Sequence, residues 1–150
     1  MVNDQIGSPR IASAFKALKA SRRGPGVIPY LTAGYPDTAT WLDLMEMAVQ
    51  AGAMALEVGI PFSDPLADGP TIQRANLHSL NQGLTLEKCM AMCALLRKRV
   101  GEIPIIAMGY YNPIMNYGLE EFILECNECG VDGIIVPDLP IEEATVLNKL

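Results

Sequence analysis

From Gly26 onward the chain alternates between short apolar stretches bounded by Gly and Pro and longer stretches whose apolar residues recur at helical period. That alternation restricts the fold more than any other feature. A strand followed by a helix and then another strand returns the chain to the same end of a sheet, so the strands must run parallel with right-handed crossovers. The spacing predicts a helix over Ser8–Ala20, with Ser8 as N-cap and Pro9 in the first turn. A strand over Gly26–Thr32 follows, then a helix over Thr38–Gln50 closed by Gly52, and an apolar strand over Ala53–Ile60. A short helix over Thr71–Leu80 is broken at Gly83, and Thr85 caps a longer one through Val100. Ile103–Met108 reads as the third strand, Leu119–Cys129 as a helix, Val131–Val136 as the fourth strand, and a helix starting near Ile141 runs to Leu150.

Two folds fit this order, a doubly wound open sheet and a (β/α)8 barrel. The first would be favoured by a G-x-G-x-x-G turn after the opening strand, and there is none. The strands instead run into loops with acids or amide and aromatic groups: Asp37, then Asp64 and Asp68, then Tyr110 and Asn112, then Asp138. Polar groups gathered at the C-terminal ends of successive strands are the layout of a barrel's active face. The expectation is a TIM-barrel type α/β fold of which this chain covers about the first four βα units, residues 1–150 forming the N-terminal portion of a single barrel domain.

The second strand carries the chemistry. Side chains alternate along a strand, so Ala53, Ala55, Glu57 and Gly59 share one face while Met54, Leu56, Val58 and Ile60 share the other. The large apolar face calls for helices; the small face carries an acid toward a barrel interior or pocket. A carboxylate there has to raise its pKa, find a partner or have a task. The competing reading is an edge strand with Glu57 facing water. Asp64-Pro65 and Asp68-Gly69 are, taken singly, ordinary turn dipeptides.

With 150 residues, half of them hydrophobic, and a net charge of −6, the chain is large enough for a core and unsuited to nucleic acid or anionic membrane, which attract basic surfaces. Its basic clusters, Arg22-Arg23 and Arg97-Lys98-Arg99, fall near predicted helix ends. The polar start and the lack of a membrane-length apolar run point to a cytoplasmic protein. Cys126 and Cys129 have the spacing of half a zinc site, with Cys89 and Cys93 one turn apart on another helix. Placement within helices, without knuckle-type turns, favours small core residues over a metal site. The lone histidine, His78, falls on a helix after the acidic loop and suits a surface or packing role.

The run Leu56-Glu57-Val58-Gly59-Ile60-Pro61-Phe62-Ser63-Asp64-Pro65-Leu66-Ala67-Asp68-Gly69-Pro70-Thr71-Ile72-Gln73 resembles the signature of the tryptophan synthase alpha chain family. Ile28 to Pro36 resembles that family's first strand and loop, and Gly130 to Pro140 its fourth. The resemblance implies retro-aldol cleavage of indole-3-glycerol phosphate to indole and glyceraldehyde 3-phosphate in tryptophan biosynthesis, without a metal or organic cofactor in this chain. It places Glu57 on the general acid/base and Asp68 on a second catalytic acid that accepts a hydrogen bond from the indole nitrogen. It also places Tyr30, Met108 and Tyr110 in the indole pocket. Pro61, Asp64 and Asn112 fall in segments that meet a PLP-containing beta chain in an alpha2-beta2 complex, and Asp138 matches an acid that orders the neighbouring loop.

A complete (β/α)8 barrel usually needs roughly 250 residues. As the resemblance maps, this chain keeps both acids and part of the indole pocket but lacks the sixth loop and the phosphate-binding loops. The sequence is therefore expected to be a piece of a longer protein or to pair with a second copy, and its stop inside a helical pattern favours the former. Two further readings stand beside the lyase: a catalytically incomplete module that only binds the beta chain, and a magnesium site built from Glu57, Asp64 and Asp68.

Overall fold

The computed structural model describes residues 8–21 and 24–147. Four parallel strands lie in the order β1-β2-β3-β4, with β1 Tyr30–Thr32, β2 Leu56–Gly59, β3 Ile105–Met108 and β4 Gly133–Ile135. Helices α1 (Pro9–Ser21), α2 (Thr38–Gln50), α3 (Pro70–Asn81), α4 (Leu86–Val100), α5 (Tyr111–Tyr117) and α6 (Leu119–Cys129) complete the described elements. None of them is long and apolar enough to cross a membrane.

The alternation along each strand sorts the sheet into two faces. Leu56, Val58, Ile105 and Ala107 point to the helices and are fully buried with Trp41, Met45, Met90, Leu96 and Phe122, forming the core. In register on the other face stand Tyr30, Glu57, Ile106 and Gly133, followed by Thr32, Gly59, Met108 and Ile135. This second face is open: Glu57, Ile106 and Met108 are half-buried and Ile135 is exposed. Parity therefore places Glu57 inward as expected, yet the carboxylate is less enclosed than a barrel interior would make it.

The strands are shorter than the sequence predicts. Val27 and Pro29 accept ladder-like bonds from Met54 and Glu57, but Pro29 and Pro104 have no N–H to return, so the regular ladder starts only after them. Helix α5 occupies a stretch read from sequence as loop, and it takes in Asn112. Its Pro113 sits in the first turn, where a missing N–H costs no helical bond. The helix expected from Ile141 is not formed in 141–146, which are turns held by bonds from Glu143 and Ala144 to Pro140 O; residues 148–150 lie outside the described residues. Arg22, Arg23 and the polar start likewise lie outside them.

Helix α1 spans the N-terminal ends of the strands, and no residue of it is buried. It is held by Asp132, which joins four elements. The Asp132 carboxylate accepts hydrogen bonds from Ser8 Oγ (2.6 Å) and Arg10 Nη1 (3.1 Å), and from Arg97 Nη2 (2.6 Å) and the backbone N–H of Ile105 (2.9 Å). Burial alone would raise this carboxyl's pKa. The four donors, two of them cationic, outweigh it and hold the group below its ordinary value.

Candidate functional site

The C-terminal ends of β1 to β3 bring the predicted acids and aromatics together. Glu57 lies opposite Tyr30 on one side and Ile106 on the other, with Met108 one row further along the same face. No hydrogen bond from any described residue reaches the Glu57 carboxylate, and burial raises its pKa above the ordinary glutamate value. Burial likewise pushes the Tyr30 phenol up to about 12, with the charges of Asp68 and Glu57 adding to the effect against a hydrogen bond to Thr32. Both acids thus act on one phenol. Tyr110 is buried and its phenol is also raised, first by burial and then by the charges of Asp68 and Asp138.

Gly59 makes this arrangement sterically feasible. The Tyr30 ring and hydroxyl fill the space that a side chain at 59 would occupy, so any Cβ there would collide with them. The Tyr30 hydroxyl then sits 3.3 Å from Thr32 Oγ1.

The acidic loop after β2 is built from turns and from contacts to neighbouring elements. Pro61 is buried at its root; Leu66 N donates to Asp64 O (2.9 Å) and Asp68 N to Pro65 O (3.1 Å). The Tyr110 hydroxyl accepts from Ala67 N (2.9 Å) while its ring lies 5.4 Å from that of Phe62, so the loop rests on the end of β3. Asp68 opens the turn before α3: its carbonyl accepts from Gln73 Nε2 (2.9 Å), and its carboxylate accepts from Asn76 Nδ2 (3.4 Å).

Asp64, Asn112 and Asp138 form a second group, separate from the inward face. They line a cavity of about 480 Å³ with Phe62, Leu66 and Tyr110, which does not include Glu57. Asp64 pairs with Ser63 Oγ (2.5 Å). Asp138 Oδ1 accepts from Tyr111 N (2.9 Å) and so caps α5 from across the loop. A magnesium site at Glu57, Asp64 and Asp68 is not supported, because among the described residues no three acidic, histidine or cysteine side chains are placed to share an ion. A larger cavity of about 870 Å³ lies at the opposite end of the sheet, between α1 and the loops around Val27, Met54 and Ile103, away from the acids.

Other strand-end and motif residues are structural. Asp37 is the N-cap of α2, accepting from Thr40 N (2.9 Å), and those bonds hold its carboxyl below the usual range. His78 is exposed on α3 and meets Pro36 O at 2.9 Å. Cys89, Cys93, Cys126 and Cys129 are free and buried between α4 and α6; burial pushes Cys89 and Cys126 up to about 12, so they sit there as neutral thiols. Sequence reasoning missed Gly59, Thr32 and Asn76 as parts of the site. The one signal for Asn76 was chemical: a small amide on the buried side of a helix whose Leu77 faces out, 59% exposed.

The family model described as "Tryptophan synthase alpha chain" matches residues 15–150. The chain belongs to the tryptophan synthase alpha chain family. It is 48% identical over 141 residues to the tryptophan synthase alpha chain of Chloroflexus aurantiacus, covering 94% of this chain and 53% of that protein. It is 50% identical over 135 residues to the alpha chain of Roseiflexus castenholzii, covering 90% and 51%. Among solved structures, tryptophan synthase subunit alpha from Legionella pneumophila superposes with a TM-score of 0.90 at 42% identity, over 96% of this chain and 54% of that one. The tryptophan synthase a2b2 complex of Pyrococcus furiosus gives a TM-score of 0.76 at 42% identity, over 83% and 49%. The chain therefore spans about half the length of these relatives, and its four parallel strands with their connecting helices are those of the first part of the alpha-chain TIM barrel.

Proposed function

We propose that these residues carry the acid–base groups of a lyase that cleaves indole-3-glycerol phosphate to indole and glyceraldehyde 3-phosphate. Glu57 carries the argument: a carboxyl on the inward face with a raised pKa and no hydrogen-bond partner among the described residues is poised to move protons. Cleavage requires a proton to reach the ring carbon that bears the side chain, and the adjacent side-chain hydroxyl to lose its proton as the carbon–carbon bond breaks and the aldehyde forms. Glu57 performs both transfers in turn, giving and then taking one proton. Asp68 accepts a hydrogen bond from the indole N–H and stabilises the positive charge that develops on the ring. Tyr30, Met108 and Tyr110 form the apolar wall. The reaction draws on no cofactor in this chain; PLP belongs to the beta chain of an alpha2-beta2 assembly in the cytoplasm, where reduced thiols such as the four here persist.

The test is indole release from indole-3-glycerol phosphate by the chain, alone and with the beta chain added. Glu57→Gln is expected to abolish release while leaving the circular dichroism spectrum intact; release near the parent level would overturn the assignment. A second reading, a module that only docks the beta chain, draws support from Leu66. It is 94% exposed beside Asp64 and the Asn112 helix end, on a loop anchored by Tyr110. Beta-chain turnover that changes on mixing, with no indole formed, is the outcome that reading requires.

A further inference from the structure

Asp68 is held through a buried amide that no part of the reaction touches. Asn76, on the inner side of α3 and only 2% exposed, donates from Nδ2 to Asp68 Oδ2 (3.4 Å) and accepts at Oδ1 from Thr32 Oγ1 (3.4 Å). The Thr32 hydroxyl in turn stands 3.3 Å from that of Tyr30. A chain of hydrogen-bonding groups therefore runs from the phenol on β1 to the carboxylate in the β2 loop. It crosses α3, with Asn76 as the joint. The amide has one donor aimed at one carboxylate oxygen and the Tyr110 phenol also acts on this carboxylate, whose oxygens keep further lone pairs to accept a ligand's N–H.

We propose that Asn76 is a positioning residue that fixes the Asp68 carboxylate for recognition of an aromatic N–H. The inference rests on the role given above to Asp68. Without the amide the carboxylate would keep only the Tyr110 phenol, and a hydrogen bond to a charged acceptor loses most of its strength when its geometry is lost. Burying a polar amide that made no directed contact would be unfavourable, so its place at this joint is a directional one.

The experiment compares two ligands of one shape: indole, and indene, in which CH2 replaces the N–H. Binding of each to the chain is titrated by NMR. The parent is expected to prefer indole by about tenfold, as a charged hydrogen bond implies, and Asp68→Ala to erase that preference. Asn76→Ala should cut the preference by about threefold or more while leaving the affinity for indene unchanged. Thr32→Val, which preserves shape, should cut it in the same direction and serves if Asn76→Ala does not fold. Loss of both ligands equally in these variants would make Asn76 a structural residue only. Preference retained in Asn76→Ala and Thr32→Val but lost in Asp68→Ala would overturn the positioning role and leave the reading of Asp68 intact. No preference in the parent would overturn the reading of Asp68 and, with it, this inference.

Discussion

Glu57 is destabilising where it stands, and this gives its role a measurable sign. Because burial raises its pKa in the folded chain above the ordinary glutamate value of 4.5, stability is fully present below that value and is lost as pH rises through the folded pKa. Glu57→Gln should therefore melt with the parent in acid and progressively above it as pH rises toward neutrality. Melting temperatures across the acidic to neutral range decide this; a parent more stable than the variant at neutral pH would mean that the carboxylate has a partner. Gly59 is the converse case, a residue whose absent side chain matters. Gly59→Ala should expel Tyr30 from its place over β2, costing about 1–3 kcal/mol as overpacking does. An ultraviolet phenol titration should show one group moving down from about 12 toward its ordinary value of 10.0. Glu57 was legible from the sequence because strand parity is local. Asn76 was not, because its partners Thr32 and Asp68 become neighbours only once α3 has folded back across the end of β1.

Elements with little buried surface lean on polar joints. Helix α1 contributes no fully buried residue, and its polar seat is Asp132 together with the Arg10–Glu102 pair. Asp132→Ala should cost about 3–5 kcal/mol, since it leaves the charge of Arg97, 15% exposed at its side chain, with only backbone carbonyls as partners. The pH dependence has the opposite sign to that of Glu57. Here the folded pKa is depressed, so the contribution is present above 3.8 and disappears as pH falls through the lower folded value. Chemical denaturation of parent and variant should converge in acid. Helix α5 borrows its cap from elsewhere in the chain: Tyr110, its N-cap residue, makes no side-chain capping bond, and Asp138 supplies the acceptor. Asp138→Ala should cost about 1 kcal/mol and raise amide exchange at Tyr111; unchanged exchange would show that the cap is idle. α5 escaped sequence reading for the same reason, with seven residues, a proline in the first turn and a cap 27 positions away. The long helices α2 and α4 were legible to within a residue because the apolar period is sustained and Thr85 caps α4 locally; Asp37, read from sequence as a strand-end acid, turns out to cap α2.

At the scale of the molecule, the strand order β1-β2-β3-β4 gives β2 and β3 two ladder partners each and leaves β1 and β4 with one each among the described residues. Hydrogen exchange should rank them accordingly, with Val58 and Ala107 amides slower than Leu31 and Ile134 by at least an order of magnitude. Equal protection would mean that the outer strands find partners in solution. The alternation of strand and helix was enough to read this topology from sequence, since parallel strands joined by helices leave few alternatives. The exposure of the inward face was not legible in that way, because it depends on which elements stand opposite.

The bond between Ser8 and Asp132 joins residues separated by 124 positions. Helix α1 is synthesised before β4, so this joint can close only after Asp132 has been made. Until then the helix, at 13 residues about the length at which isolated helices are marginal in water, has only its earlier contacts, among them Arg10 with Glu102. A helix that precedes all four described strands is thus tied down by a residue beside the last of them, and closing that joint is a natural late step in the folding of this sheet.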